Sequence, residues 1–73
     1  MTTNRNKYSV RVEGVVLSRN SKRDDFRFAV VIFETVFQEW KLIGLRTTKQ
    51  DGQLLLDSYG GYKKRMLIPV MPS

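Results

Sequence analysis

Seven carboxylates, no histidine and no cysteine are what the chain offers for acid–base or metal chemistry. The carboxylates are Glu13, Asp24, Asp25, Glu34, Glu39, Asp51 and Asp57. Without His, the commonest general base and the usual neutral-pH titrating group are missing. Without Cys, there is no thiolate ligand and no disulfide. Asp24-Asp25 is the one adjacent acidic pair. Neighbouring side chains on an extended segment point opposite ways, so the pair is not placed to share a substrate. It reads as a charge-balanced loop with Arg19, Lys22, Arg23 and Arg27. No phosphate loop or nucleophile elbow is present. The expectation is a protein that is not an enzyme, has no cofactor or metal, and takes no small-molecule substrate.

What the chain does carry is positive charge: 13 Lys and Arg against seven acids, a formal net charge of +6. An excess of this kind suits an anionic partner: nucleic acid, an acidic protein surface or a membrane face. The excess is clustered. Arg5, Lys7 and Arg11 stand near the amino end, and Arg19, Lys22 and Arg23 form a second group. Both groups are candidate contacts to an acidic protein, although a solvated hairpin tip is the default reading of the second. The third cluster is Tyr59-Gly60-Gly61-Tyr62-Lys63-Lys64-Arg65. Tyrosines can stack on unpaired bases, cations can neutralise phosphates, and glycines let a backbone come close. Tyr59, Tyr62, Lys63, Lys64 and Arg65 are therefore candidate single-strand contacts. The simpler reading, slightly ahead, is a loop whose tyrosines pack on the sheet and whose cations keep an edge strand soluble.

These clusters hang on one small domain of 73 residues, a size that buries only about 60% of the unfolded surface. Residues 1–7 read as a flexible arm and 8–73 as a single β-rich domain. Tyr8, Val10 and Val12 alternate with Lys7, Ser9, Arg11 and Glu13, which is the period of a half-buried strand. Gly14 interrupts it as a bulge or bend, and Val15-Val16-Leu17 continue it. Ser18 to Asp25 is wholly polar and reads as a long hairpin loop. In Phe26 to Glu34, Phe26, Phe28, Val30 and Ile32 share one face and Arg27, Ala29, Val31 and Phe33 the other, so the strand is partly buried on both sides, which marks a central strand.

Residues 33–43 are ambiguous. Phe33, Val36, Phe37, Trp40 and Ile43 have helical spacing, but a turn near Glu34-Thr35 with a strand resuming by Trp40 is favoured. Phe33, Phe37 and Trp40 are expected in the core. Lys49 to Gln53 reads as an Asp-Gly hairpin turn, followed by a strand at Leu54-Leu55-Leu56. Gly60-Gly61 is a flexible link, and Met66 to Val70 a last strand held to an edge by Pro69. The fold expected is mainly β: about five short strands in a small antiparallel sheet or open barrel. An α+β form with one short helix near 33–43 stays open. The polar start is not a signal peptide, and no apolar run spans a membrane. With no Cys, a cytoplasmic setting is expected.

Two resemblances follow from particular stretches. Phe28-Ala29-Val30-Val31-Ile32, Trp40 to Arg46, Gly52 to Ser58 and Leu67-Ile68-Pro69-Val70 resemble the strand core of SpoVG-type septation regulators, which are small nucleic-acid-binding proteins. Leu56-Asp57-Ser58 stands where that family has Met-Pro-Ser, and no counterpart of its carboxy-terminal helical segment is expected. The resemblance covers about half the chain and implies binding of single-stranded DNA or RNA. Taken whole, in length and in the basic Asn4-Arg5-Asn6-Lys7 arm, the chain resembles small phage-encoded regulators of bacterial RNA polymerase. That resemblance implies a transcription inhibitor and antiterminator in a bacterial host cytoplasm, touching the polymerase through Arg5, Lys7 and Arg11.

Overall fold

The computed structural model describes residues 6–72. The chain forms β1 (Asn6–Val12), β2 (Val15–Ser21), β3 (Phe28–Glu34), β4 (Glu39–Arg46), α1 (Lys49–Ser58) and β5 (Arg65–Pro69). It is mainly β, with two antiparallel sheets and one short helix. β1 and β2 make a hairpin, and β4, β3 and β5 make a sheet with β3 in the middle.

The β1–β2 pairing is tight. Val12 faces Val15 across a two-residue turn, and both turn residues have positive φ: 49° at Glu13 and 80° at Gly14. That sign at both positions is the mark of the hairpin turn whose twist suits right-handed strands. Gly14 therefore ends β1 rather than bulging it. The polar run beginning at Ser18 is not all loop, because β2 continues to Ser21 with Ser18, Arg19 and Asn20 paired to Ser9, Tyr8 and Lys7. Pairing to an alternating partner draws a polar segment into a strand that its composition does not announce. Asn6 and Lys7 likewise belong to β1 and not to an arm. The rest of the expected arm, residues 1–5, lies outside the described residues.

β3 is covered on both faces. Ala29 and Val31 join Tyr8, Val10, Val12, Trp40, Leu45 and Val70 in one core, with Leu17, Phe26, Phe33, Leu42 and Ile68 packed against it. This core lies between the hairpin and the three-stranded sheet. The opposite face of β3 carries Val30, fully buried, and Ile32 at 3% exposure. β4 keeps its apolar residues aligned with this plan through a register shift at Val30/Val31, where Gly44 pairs with Val30 and Leu42 with Val31. Ile43 is the extra residue, and the bulge returns Leu45 to the hairpin face. At the far side, an isolated antiparallel bridge between Tyr8 and Pro72 ties β1 to the segment that follows β5.

The segment expected as a hairpin turn and strand at 49–56 is instead the helix. Thr48 has extended backbone, and its hydroxyl accepts from the Asp51 amide at 3.1 Å, which is N-cap geometry. Gln53 donates to Asp57 one turn later at 2.9 Å. No β-branched residue occurs between Lys49 and Ser58, and Leu54-Leu55-Leu56 are strong helix formers. Gly52 is there for closeness rather than for a turn. A Cβ at Gly52 would stand 2.6 Å from Leu67 Cδ1 and 3.4 Å from Phe28 Cβ, so the helix backbone lies directly on β3 and β5. The sheet makes matching room at Gly44, where a Cβ would meet Leu55 Cδ2 at 2.5 Å.

The helix left open for 33–43 is absent: residues 35–38 form a turn between β3 and β4. Glu34 Oε1 accepts from the Val36 amide at 3.0 Å, and Gln38 takes a positive φ of 53°. Phe37, expected in the core, rides on this turn at 68% exposure, under the Lys41 ammonium.

The close seating of α1 gives a direct test. Gly52→Val improves helix propensity by a few tenths of a kcal/mol but forces branched carbons against Leu67 and Phe28. The expected net loss is about 1–3 kcal/mol in a urea titration. A more stable variant would show that the helix does not rest on the sheet at this residue.

Candidate binding surfaces

The amino-terminal set of cations separates into two roles. Arg5 lies outside the described residues. Lys7 and Arg11 are exposed on the outer face of β1, opposite Asn20 and Val16, beside Ser9 and Ser18, whose hydroxyls meet at 3.0 Å. Lys22 is exposed in the loop after β2. Over the first 23 residues the six cations Arg5, Lys7, Arg11, Arg19, Lys22 and Arg23 face Glu13 alone.

Arg19 and Arg23, by contrast, are structural. Arg19 pairs with Tyr8 on the inner face of the hairpin, and its Nη2 donates to the Leu42 carbonyl of β4 at 2.6 Å. Arg23 makes a bidentate pair with Asp25, at 2.9 and 2.6 Å, and its guanidinium lies 4.8 Å from the centre of the Phe26 ring. The hydrogen bond between them, with their mutual charge, raises Arg23 and lowers Asp25 from their ordinary values.

The Arg23 backbone is held as well. Its carbonyl accepts from Tyr8 Oη at 2.7 Å and from Asn6 Nδ2 at 3.0 Å. Tyr8, fully buried and edge-on to Phe26 with centroids 5.4 Å apart, thus pins the 22–27 loop onto the hairpin. Of the six expected protein contacts, Lys7, Arg11 and Lys22 are exposed, as are the engaged Arg19 and Arg23.

The carboxy-terminal cluster is also divided. Tyr59 caps α1, with its amide donating to the Leu56 carbonyl at 3.1 Å, and its own carbonyl accepts from the Tyr62 amide at 3.1 Å. The two tyrosine rings lie 6.0 Å apart at a 42° tilt, both half-buried. Arg65 sits opposite Ile32, on the helix side of the sheet. It donates from Nη1 to the Tyr62 carbonyl at 2.9 Å, so it shapes the loop from behind. Tyr62, Lys63 and Lys64 face a groove of about 460 Å³, which Gly61, Phe33 and Thr35 complete. The Phe33 amide donates to the Lys64 carbonyl at 3.0 Å, and the Lys64 ammonium lies 5.2 Å from the Phe33 ring centre.

Phe33 and Thr35 were not legible as site residues. The sequence marks Phe33 as core and Thr35 as turn, and only the pairing of β3 with the approach to β5 brings them to the Lys63-Lys64 segment. Phe33 also borders a second hollow of about 350 Å³ with Val15, Leu17 and Trp40. That hollow carries Glu13 and Glu39 and so has the opposite charge character. Phe33 and Trp40 meet edge to face, 5.4 Å between centroids.

Among the described residues, no group of three or more His, Cys, Asp or Glu could hold a metal ion, and no helix is long and apolar enough to cross a membrane. Comparison of the chain with protein-family models, characterised proteins and solved structures finds no match.

Two measurements bear on these roles. Tyr8→Phe leaves the Arg23 carbonyl without its hydroxyl partner and is expected to lower stability by about 1–2 kcal/mol, read as a shifted urea midpoint with unchanged slope. The Asp25 pair has a pH signature. A carboxylate held below its unfolded value stabilises the fold above that value and loses the contribution as pH falls through the folded one. Both partners are at least half exposed, so the effect is small. Stability should dip slightly more below about pH 4 in the parent than in Asp25→Asn, and equal acid limbs would remove the pair from the account.

Proposed function

We propose that this protein is a non-catalytic transcription regulator that binds bacterial RNA polymerase. In this reading the outer face of the β1–β2 hairpin lies on an acidic surface of the enzyme and alters initiation or termination. The observation that carries the reading is the hairpin face itself, where Lys7 and Arg11 stand exposed on one strand, beside Ser9 and Ser18 and opposite Asn20 and the exposed Val16. A surface of that kind steers toward negative potential. The overall resemblance to phage-encoded polymerase regulators supplies the partner. The absence of histidine and cysteine leaves occupancy of a site, or displacement of a factor, as the mode of action.

A rigid hairpin suits this work. β1 and β2 are paired from Asn6↔Ser21 to Val12↔Val15, and Tyr8 and Arg19 tie them to the rest of the fold. The contact face therefore needs little ordering on binding, which limits the entropy lost there.

In vitro transcription with purified bacterial RNA polymerase tests the reading. Added protein should reduce promoter-dependent initiation or increase read-through at a terminator. The Lys7→Glu/Arg11→Glu variant, folded by circular dichroism, should need at least about tenfold more protein for the same effect, as expected for lost charge pairs at an interface. No change in initiation or termination at saturating protein would sink the proposal.

A further inference from the structure

A second surface has chemistry the hairpin lacks. The groove formed by Phe33, Thr35, Gly61, Tyr62, Lys63 and Lys64 is lined by residues that carry two aromatic rings, two hydroxyls, two ammonium groups and no carboxylate side chain. Its volume of about 460 Å³ falls in the range of small-ligand sites. Gly61 opens its backbone to approach, since a Cβ placed there would meet nothing within 4 Å. The ring of Phe33 presents a face to cationic and flat groups, and the exposed Lys64 ammonium is over that face.

We propose that this groove takes one unpaired nucleotide of a single-stranded nucleic acid, with the base against the Phe33 and Tyr62 rings and the adjoining phosphates on Lys63 and Lys64. The charge of the lining selects an anion. The rings select a flat face attached to it, a combination that every nucleotide carries and that an acidic side chain alone does not. A base inside a duplex offers no free face, which excludes double-stranded ligands from the groove. Lys64 holds its place over Phe33 by one cation–π contact on an exposed side chain. It can therefore swing to the phosphate as the base takes the ring.

The fold prepares this site without further ordering. Tyr62 is fixed by its amide bond to the Tyr59 carbonyl and by Arg65 on its own carbonyl, at 3.1 and 2.9 Å. The hydrogen bond from the Phe33 amide to the Lys64 carbonyl holds the two backbones together, so only the Lys64 side chain has to move. Arg65, which the sequence offers as a phosphate contact, is a positioning residue here.

The test is a fluorescence-anisotropy titration of the whole protein against labelled single strands of roughly 12 nucleotides, within the span one small domain covers. Oligouridylate and oligothymidylate form separate arms, and an oligoglutamate of equal length is the charge control. Both nucleic acids should bind in about 50 mM salt, with affinity falling as salt rises. Tyr62→Ala should weaken binding about tenfold. Lys63→Gln/Lys64→Gln should flatten the salt dependence by about 1.4 in log–log slope, two phosphates' worth for single strands.

Arg11→Gln, on the hairpin face, should leave the titration within about twofold. All variants are checked for an unchanged thermal transition. No binding at low salt overturns the proposal, as does oligoglutamate binding with the same sensitivity to Tyr62→Ala. Loss of polymerase binding in the groove variants without any oligonucleotide affinity would assign the groove to a protein interface and overturn it too. Failure of the hairpin variants to affect transcription would leave this result standing, so the two surfaces are judged separately.

Discussion

The fold depends on one strand having two dry faces. Ala29, Val30, Val31 and Ile32 are consecutive and all buried, so β3 cannot lie against solvent on either side. One face needs the β1–β2 hairpin, whose alternating Tyr8, Val10 and Val12 supply the matching surface. The other face needs a second cover, and α1 supplies it by bringing Gly52 down onto Phe28 and Leu67. A small chain buries little surface per residue, so this two-sided use of a single strand is how it gathers an adequate core. Each layer is held by β3, and the layers do not substitute for one another.

The candidate site sits where that cover runs out. Phe33 is the first residue of β3 after the buried run to be only half-covered, and Thr35 follows in the turn. At this end the sheet surface is bounded by connections rather than by layers, and the 59–64 loop lies beside it through the Phe33–Lys64 backbone bond. An aromatic surface is thus left open at the margin of a core that is otherwise closed. A fold that needs two covering layers over β3 leaves such a margin wherever the layers are shorter than the strand, and in this chain lysines border it.

Much of the strand plan was legible in sequence. The period of Tyr8, Val10 and Val12, the double apolar alternation of Phe28 to Phe33 and the edge position implied by Pro69 are local signals that read through to β1, β3 and β5. The helix was not legible. Asp51-Gly52 is strong turn chemistry, and what overrides it is a tertiary approach of backbone to sheet that needs glycine for lack of a side chain. The sign that could have found it is the absence of any β-branched residue from Lys49 to Ser58 after a Thr48 cap. β2 hid for the opposite reason: Ser18 to Ser21 has no strand composition and is a strand only because β1 pairs with it. The two sites were half visible. Charge clusters showed where cations are, not which of them are already engaged.

That engagement follows residue type. Arg19, Arg27, Arg46 and Arg65 donate to backbone carbonyls, and Arg23 pairs with Asp25. Lys41 and Lys64 lie over aromatic rings, and Lys22 and Lys63 are exposed. The difference is chemical. Guanidinium has several fixed donors and is weakly hydrated, so it closes loops and seams; ammonium is a mobile, strongly hydrated point charge. A chain without disulfides and with a thin core uses arginine to tie its 22–27 loop and its β2–β4 seam. The net charge of +6 therefore does not by itself say which cationic groups are already engaged. At the groove, the aromatic rings beside Lys63 and Lys64 decide what kind of anion can be taken.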